Sequence, residues 1–285
     1  MFRRSICSVV LLLMVSWFQT VSAQVPHQIL FPGVTGKPLM DSLRVHFKPV
    51  TVYNYNLARD QMYRYVDNNN GVIECLYTGQ TANISTTSTT PRADALNQNF
   101  NAEHIYPQSF GASTGNANSD LHHLRPTNAN VNSSRGNLAF GFVAASETNR
   151  WWSGTTSTLT QPAGDLSIWS RTGSSRFQPR TEVMGNVARS MFYFFTIYNE
   201  EALAANGAYF DNQKIALLQF HRTDLVDEQE WIRTNRAAEF QEGKINPFIL
   251  DTTLAVRVFF NGVEPGESDG NGDGDGDGDG DGDGD

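Results

Sequence analysis

Asn101-Ala102-Glu103-His104-Ile105-Tyr106-Pro107-Gln108-Ser109, Asp120-Leu121-His122-His123-Leu124-Arg125-Pro126 and Asn130-Val131-Asn132-Ser133-Ser134-Arg135-Gly136-Asn137 make up the stretch of chain on which the reading of the fold turns. Three of the six histidines, two arginines, two acids and several asparagines fall within its 37 residues, although only 18% of the chain is charged. That density marks a site. The segment leading into His104 reads as a strand, and Pro126 is followed by a short helix that carries Asn132. A separation of 28 residues between His104 and Asn132 lets the chain turn back and lay the helix against the strand. Arg135, three residues beyond Asn132, falls on the same helical face.

Outward from this stretch, helical periodicity dominates. Met184, Val187, Ala188, Met191, Phe192 and Phe195 recur at spacings of three and four, which predicts one apolar stripe on a helix over about 182–198. Ile215, Leu218 and Gln219 repeat the pattern, as do Trp231 and Ala238, and the second of these helices follows the acidic turn Asp227-Glu228. Residues 39–47 and 57–66 read as two earlier helices. Strand signals are few and short, at 71–77 and before His104. Residues 81–95, rich in Thr, Ser, Asn and Pro, read as a loop. The expectation is an α+β chain, mostly helical around a small sheet.

The ends differ from the middle. Met1-Phe2-Arg3-Arg4, an apolar run from Val9 to Phe18 and small residues at Val21-Ser22-Ala23 predict a secretory signal peptide over 1–23, cleaved near Ala23. The run is about half of the ~20 apolar residues that a membrane span needs, so no membrane partner is expected. Residues 264–285 form an acidic Asp-Gly tail or linker with no apolar side chain beyond Pro265 to bury. Its repeats lack the spaced ligands and closing Glu of a calcium loop. The total charge of -9 is misleading, because residues 24–263 hold 19 basic and 20 acidic groups. A near-neutral domain does not coat nucleic acid through a basic surface. Once the leader is removed, Cys75 is the one cysteine, so an internal disulfide is excluded and stability must come from packing or from metal. No obligate protein partner is evident.

Hydrolysis of a phosphodiester sets specific demands. The attacking water must lose a proton, and an imidazole of ordinary pKa near ~6.5 can take it at neutral pH. Negative charge builds on the phosphoryl and leaving oxygens, where a hard divalent cation on oxygen ligands can hold it. Magnesium keeps most of its waters, so an Asn carbonyl and one carboxylate suffice. His104, Glu103 and Asn132 meet these needs, and Arg135 can grip phosphate. On an extended strand Glu103 and His104 face opposite ways unless the strand ends there. Adjacent His122 and His123 cannot share a face, so one is expected to support the site and the other to be exposed. Asn132-Ser133-Ser134 and Asn83-Ile84-Ser85 also match glycosylation sequons, and sugar on Asn132 excludes its binding metal.

At these residues the chain resembles the bacterial endonuclease I family, secreted or periplasmic nucleases with the ββα-metal, or His-Me finger, fold. The resemblance is carried by Glu-His-x-x-Pro at 103–107, Asp-Leu-His-x-Leu-x-Pro at 120–126 and Val-Asn-x-x-Arg-Gly-Asn at 131–137. It continues through Gly185-Asn186-Val187-Ala188-Arg189 with Phe192-Tyr193, Leu217-Leu218-Gln219-Phe220-His221 with Asp224, and Asn246-Pro247-Phe248, covering roughly 39–251. It implies a catalytic domain over 24–263 that cleaves DNA, with RNA left open, with little sequence preference and 5′-phosphate products. In the family's terms His104 is the general base, and Glu103 and Asn132 hold magnesium, with calcium and manganese also open. From the residues themselves, His122, His123 and Asp120 are candidates to support those groups; the arginine that some relatives place between the two motifs to stabilise the leaving group has no clear counterpart, and Arg125 or Arg135 is the candidate for that role. Ala102, Tyr106 and Met184 depart from the Arg, Trp and Lys common at these positions.

Two other readings compete. A zinc hydrolase built on His104, His122 and His123 is disfavoured by the lack of a His-Glu-x-x-His pair or a cysteine ligand set. A non-catalytic surface protein with a calcium-binding tail predicts that His104 has no effect on any nuclease activity.

Overall fold

Burial is concentrated on one helix. In the computed structural model, which describes residues 25–265, every residue of the helix Met184–Ile197 except Asn186 is buried. The sequence predicts an apolar stripe over 182–198; the helix falls there, but it is enclosed on all sides, as expected of a helix that is apolar around most of its circumference. The signal peptide and the tail from 266 onward lie outside the described residues.

Taken in chain order, the helices are α1 (Gly36–Phe47), α2 (Tyr55–Gln61), α3 (Pro91–Asn97), α4 (Gly115–Ser119), α5 (Ala129–Arg135), α6 (Met184–Ile197), α7 (Asn199–Asp211), α8 (Lys214–Thr223), α9 (Glu228–Ala238), α10 (Pro247–Leu250) and α11 (Leu254–Phe259). A single wider turn, Met62–Val66, continues α2. Helix α8 lies along α6, and α1, α7 and α10 close other sides of it. Its aromatic residues stack with the surrounding helices: Phe195 and Phe210 lie 4.0 Å apart and nearly parallel, and Phe192 meets Phe248 at 5.6 Å. Where the sequence supplies a cap, the helix starts on it. Asp227 accepts from Glu230 N at 2.7 Å at the head of α9, and Asn246 accepts from Phe248 N at 3.0 Å before α10.

Three sheets surround this body. Strands β1 (Asn68–Asn69), β2 (Val72–Glu74) and β3 (Thr81–Asn83) form an antiparallel meander. Strands β4 (Phe100–His104) and β5 (Leu124–Asn128) pair antiparallel, with Glu103 opposite Arg125 and His104 opposite Leu124. Strands β6 (Ala139–Phe140), β7 (Arg150–Ser153), β8 (Thr156–Thr158), β9 (Ser170–Thr172) and β10 (Arg176–Gln178) make a five-stranded sheet in the order β6-β10-β9-β7-β8. The α+β class holds, but the strand content exceeds the single small sheet expected from sequence. Residues 81–95, read as a loop, contain β3 and the start of α3. Thr and Asn at 81–83 pair because β2 offers an edge, a tertiary cause that overrides their turn preference.

Helix α6 also carries a buried ion pair. Arg189 donates to both carboxylate oxygens of Glu230 on α9, at 2.9 and 2.5 Å, and to the Asp224 carbonyl at 2.8 Å. Gly185 stands beside that arginine. A Cβ there would collide with the Asp224 carbonyl oxygen and approach the Arg189 guanidinium to 2.6 Å. Gly185→Ala is therefore expected to destabilise the fold by about 1–3 kcal/mol, read as a fall in the thermal unfolding midpoint.

Candidate active site

The strand pair β4–β5 and the helix after it bring the residues singled out by sequence into one neighbourhood. Helix α5 follows β5 without a gap and packs against both strands. Asn128 sets the junction: its side chain accepts from Asn130 N at 2.9 Å as the helix cap, and its own N–H points to the Cys75 sulfur at 3.1 Å. Strand β4 ends at His104. Its last two residues need not obey strict alternation in what they touch, and they do not touch the same things.

His104 is 6% exposed. Its Nε2 donates to the Asn118 carbonyl at 2.8 Å, which leaves Nδ1 as the acceptor, and Gln108 Nε2 donates to it at 3.0 Å. The tautomer follows from those two partners. Burial, with His123 and the Arg59 and Arg135 charges nearby, pushes the His104 imidazole down to about 3, so the ring is neutral at physiological pH. The rings of Tyr55 and His123 flank it at 5.3 and 5.4 Å. Gln108 itself is exposed on a short turn, Gln108–Phe110, that ends at Gly111. There φ is +130°, and a Cβ would come within 2.9 Å of the Glu201 backbone on α7.

Glu103 turns to other partners. Tyr77 Oη donates to its Oε1 at 2.7 Å, and Arg135 Nη1 meets the same oxygen at 3.2 Å. Both contacts fall on Oε1, so Oε2 takes no hydrogen bond from another side chain among the described residues. Burial pushes the carboxyl up, against the lowering pull of Arg135 and Tyr77. On α5, half-buried Asn132 donates through Nδ2 to Asn101 Oδ1 at 2.8 Å, which leaves its own Oδ1 without a protein donor among the described residues. Because Nδ2 faces strand β4, the sequon at Asn132 presents no free nitrogen for sugar. Glu103 Oε2 and Asn132 Oδ1, on the same strand–helix pair, thus take no side-chain hydrogen bond among the described residues, while the His104 backbone N–H also acts on the Glu103 carboxylate. Hard oxygen donors in that number suit magnesium, which retains several waters.

The two candidate arginines part company. Arg135 is 1% exposed and spends its guanidinium inside the protein: on the carbonyls of His104 at 3.3 Å, Gly136 at 3.1 Å and Ile105 at 2.7 Å, on Tyr209 Oη at 3.2 Å, and on Glu103. It shares the helix with Asn132, as the spacing predicts, but it faces the core. Arg125 is also buried and reaches Asp67 at 3.4 Å, a carboxylate that Arg233 grips with two nitrogens at 2.7 and 2.9 Å. Burial beside Arg233 pushes Arg125 down to about 10.

His122 and His123 do point apart, but both are buried, whereas one was expected to be exposed. His123 Nε2 donates to the Ala117 carbonyl at 2.7 Å, with its ring beside His104; His122 Nε2 donates to the Lys244 carbonyl at 2.7 Å. With Nε2 of His104, His122 and His123 on three different carbonyls, the three rings do not converge as zinc ligands. Asp120 ties this loop to the helical body. It accepts from Tyr193 at 2.8 Å, Tyr198 at 2.7 Å, Gln241 at 2.9 Å and the His122 N–H at 2.9 Å. Burial pushes its carboxyl up, but the two histidines and these donors outweigh burial and hold it below the ordinary value. Gln108, Asn118, Tyr77 and Asn101 belong to no spaced motif and were not assigned roles from sequence. Only the proximity of Asn101 and Gln108 to the Glu-His pair could have drawn attention to them.

Residues 39–253 match the family model described as Endonuclease I, and the chain belongs to that family. It is 31% identical over 166 residues to an "Extracellular ribonuclease" of Bacillus subtilis (strain 168), across 53% of this chain and 50% of that protein. It is 28% identical over 167 residues to an "Extracellular ribonuclease" of Bacillus amyloliquefaciens, with the same shares of each chain. The chain spans about half the length of these curated relatives. No helix among the described residues is long and apolar enough to cross a membrane.

The buried imidazoles make the fold sensitive to acid. His123 and His221 are each pushed down to about 4 by burial, so the unfolded chain binds protons that the folded chain refuses between about 4 and the ordinary value near ~6.5. Stability then rises with pH across that window and is lost as pH falls through it. The urea midpoint is expected to drop between pH 7.5 and pH 5; a constant midpoint would mean that these rings take up protons in the folded state as readily as in the unfolded chain.

Proposed function

We propose that the chain is a secreted, metal-dependent endonuclease that hydrolyses phosphodiester bonds of DNA and RNA through a ββα-metal finger made of β4, β5 and α5. The observation that carries this reading is the pairing of a neutral imidazole, fixed in one tautomer with Nδ1 as acceptor, with a carboxylate oxygen and an amide oxygen that take no side-chain hydrogen bond on the adjoining strand and helix. The family supports nuclease chemistry, and the similarity to extracellular ribonucleases of two Bacillus species supports RNA as a substrate and an extracellular location.

In this mechanism His104 Nδ1 accepts a proton from water as the water oxygen attacks phosphorus. The Asn118 carbonyl holds the opposite edge of the ring, so the imidazolium that forms is oriented and partly neutralised. Gln108 must withdraw from Nδ1 for water to take its place, and its exposed position permits this. The bond from phosphorus to the 3′ oxygen breaks with its electron pair on that oxygen, which takes a proton from a solvent water, leaving a 5′-phosphate and a 3′-hydroxyl. Glu103 and Asn132 would hold a magnesium ion, with manganese or calcium as substitutes, and when bound it supplies positive charge to the phosphoryl and leaving oxygens. Arg135 acts as a positioning residue: its contacts to Glu103 and to the His104 carbonyl set the end of β4 against α5. The leaving oxygen therefore draws on a cation other than Arg135.

With magnesium, the purified protein is expected to nick and then degrade plasmid DNA and to cleave single-stranded RNA, and EDTA to stop both. His104→Ala should lose about a hundredfold to ten-thousandfold in rate, and cleavage at the wild-type rate would remove His104 as the base. Asn132→Ala should raise the magnesium concentration needed for half-maximal rate, and an unchanged requirement would place the ligand elsewhere.

A further inference from the structure

Beside the candidate site lies a groove of about 440 Å³ whose lining includes Asp60, Arg92 and Asn101, the residue that accepts the Asn132 side chain. Arg59 is also in the lining. Its guanidinium lies 4.0 Å over the ring of Tyr55, which in turn flanks His104 at 5.3 Å. Nε donates to the Tyr55 carbonyl at 3.3 Å and Nη2 to Asn56 at 2.6 Å, while Nη1 has no protein acceptor among the described residues. Arg92 has a side chain 40% exposed; its Nε pairs with Asp60 at 2.8 Å, and both terminal nitrogens are without protein acceptors among the described residues. Phe100, Tyr63 and an exposed Leu96 add apolar surface to the lining.

We propose that this groove, with Arg59 and Arg92 as its phosphate contacts, is the track along which the sugar–phosphate backbone of a nucleic-acid strand runs to the candidate site. The inference rests on the nuclease reading above. A near-neutral domain cannot gather a polyanion by its overall field, so affinity must come from a few placed guanidinium groups. Here two such groups, with nitrogens still open, line a furrow that Asn101 also lines. Asp60 is the sole acid among the lining residues. It holds Arg92 in place at the cost of part of its charge.

The test is equilibrium binding of a fluorescein-labelled 20-nucleotide single strand, as DNA and separately as RNA, to His104→Ala protein in EDTA over a range of NaCl. Arg59→Ala and Arg92→Ala, added singly to that background, should each weaken binding about three- to tenfold at low salt. Each should also lower the slope of log affinity against log salt by ~0.7, the value for one phosphate contact on a single strand. Asp60→Asn, which raises the net charge of the groove, should tighten binding, a direction that partial unfolding cannot mimic. Arg222→Ala, outside the groove, should bind like its parent. Unchanged affinity and slope in both groove variants would overturn the track while leaving the nuclease reading intact. Failure of the wild-type protein to cleave either polymer with magnesium overturns the nuclease reading instead, whatever the binding shows. Loss of affinity for one polymer alone supports the track and identifies which backbone it serves.

Discussion

The buried guanidinium of Arg135 is the constraint on which the site is built. It reaches from the last turn of α5 to the carbonyls of His104 and Ile105 and to the Glu103 carboxylate, so strand end and helix end are fixed by one planar group. Breaking a buried pair by deleting one partner commonly costs about 3–5 kcal/mol, because the other charge is left uncompensated. Asn132 lies one turn earlier on the same helix, and its approach to Asn101 is therefore inherited from the Arg135 clamp. The stacking of Arg135 over Phe140 at 4.5 Å extends the clamp to the first strand of the five-stranded sheet.

A second anchor holds the other side of the imidazole. The segment between β4 and β5 is long, yet Asp120 secures it to α6 and to the chain after α9 through two tyrosines and Gln241. From that fixed point Asn118 and His123 come to bear on His104. Loop residues placed by a rigid helical body are a common way to hold a reactive group. Here the body is α6, whose enclosure on every face makes it the least yielding element of the fold.

Much of this was readable from the chain, and the reasons are local. Helix α6 shows itself through its apolar spacing, α9 through the Asp227 cap, and α5 through its place after Pro126. Glu103, His104 and Asn132 stand out in the sequence because they sit in short contiguous motifs, and the strand–helix pair brings them into one neighbourhood. The five-stranded sheet was not found. Its strands are two to four residues long and built largely from Ser, Thr, Arg and Trp, so no alternation accumulates before each one ends. Arg135 read as a surface group able to reach phosphate, because an arginine one turn from a polar asparagine gives no sign that three carbonyls await it. Arg59 and Arg92 passed unremarked for the converse reason: they are ordinary helix residues until α2 and α3 are laid beside β4.

Cys75 lies buried with its sulfur turned to the Asn128 amide, and no second cysteine occurs among the described residues. The junction between β5 and α5 is thus supported by a thiol in its reduced form, and no covalent staple secures the folded body. Many exported proteins of small size lose their shape when their cross-links are reduced. The described residues have none to lose, so a reductant leaves this body assembled, and its unfolding is governed by heat and acidity instead of redox poise.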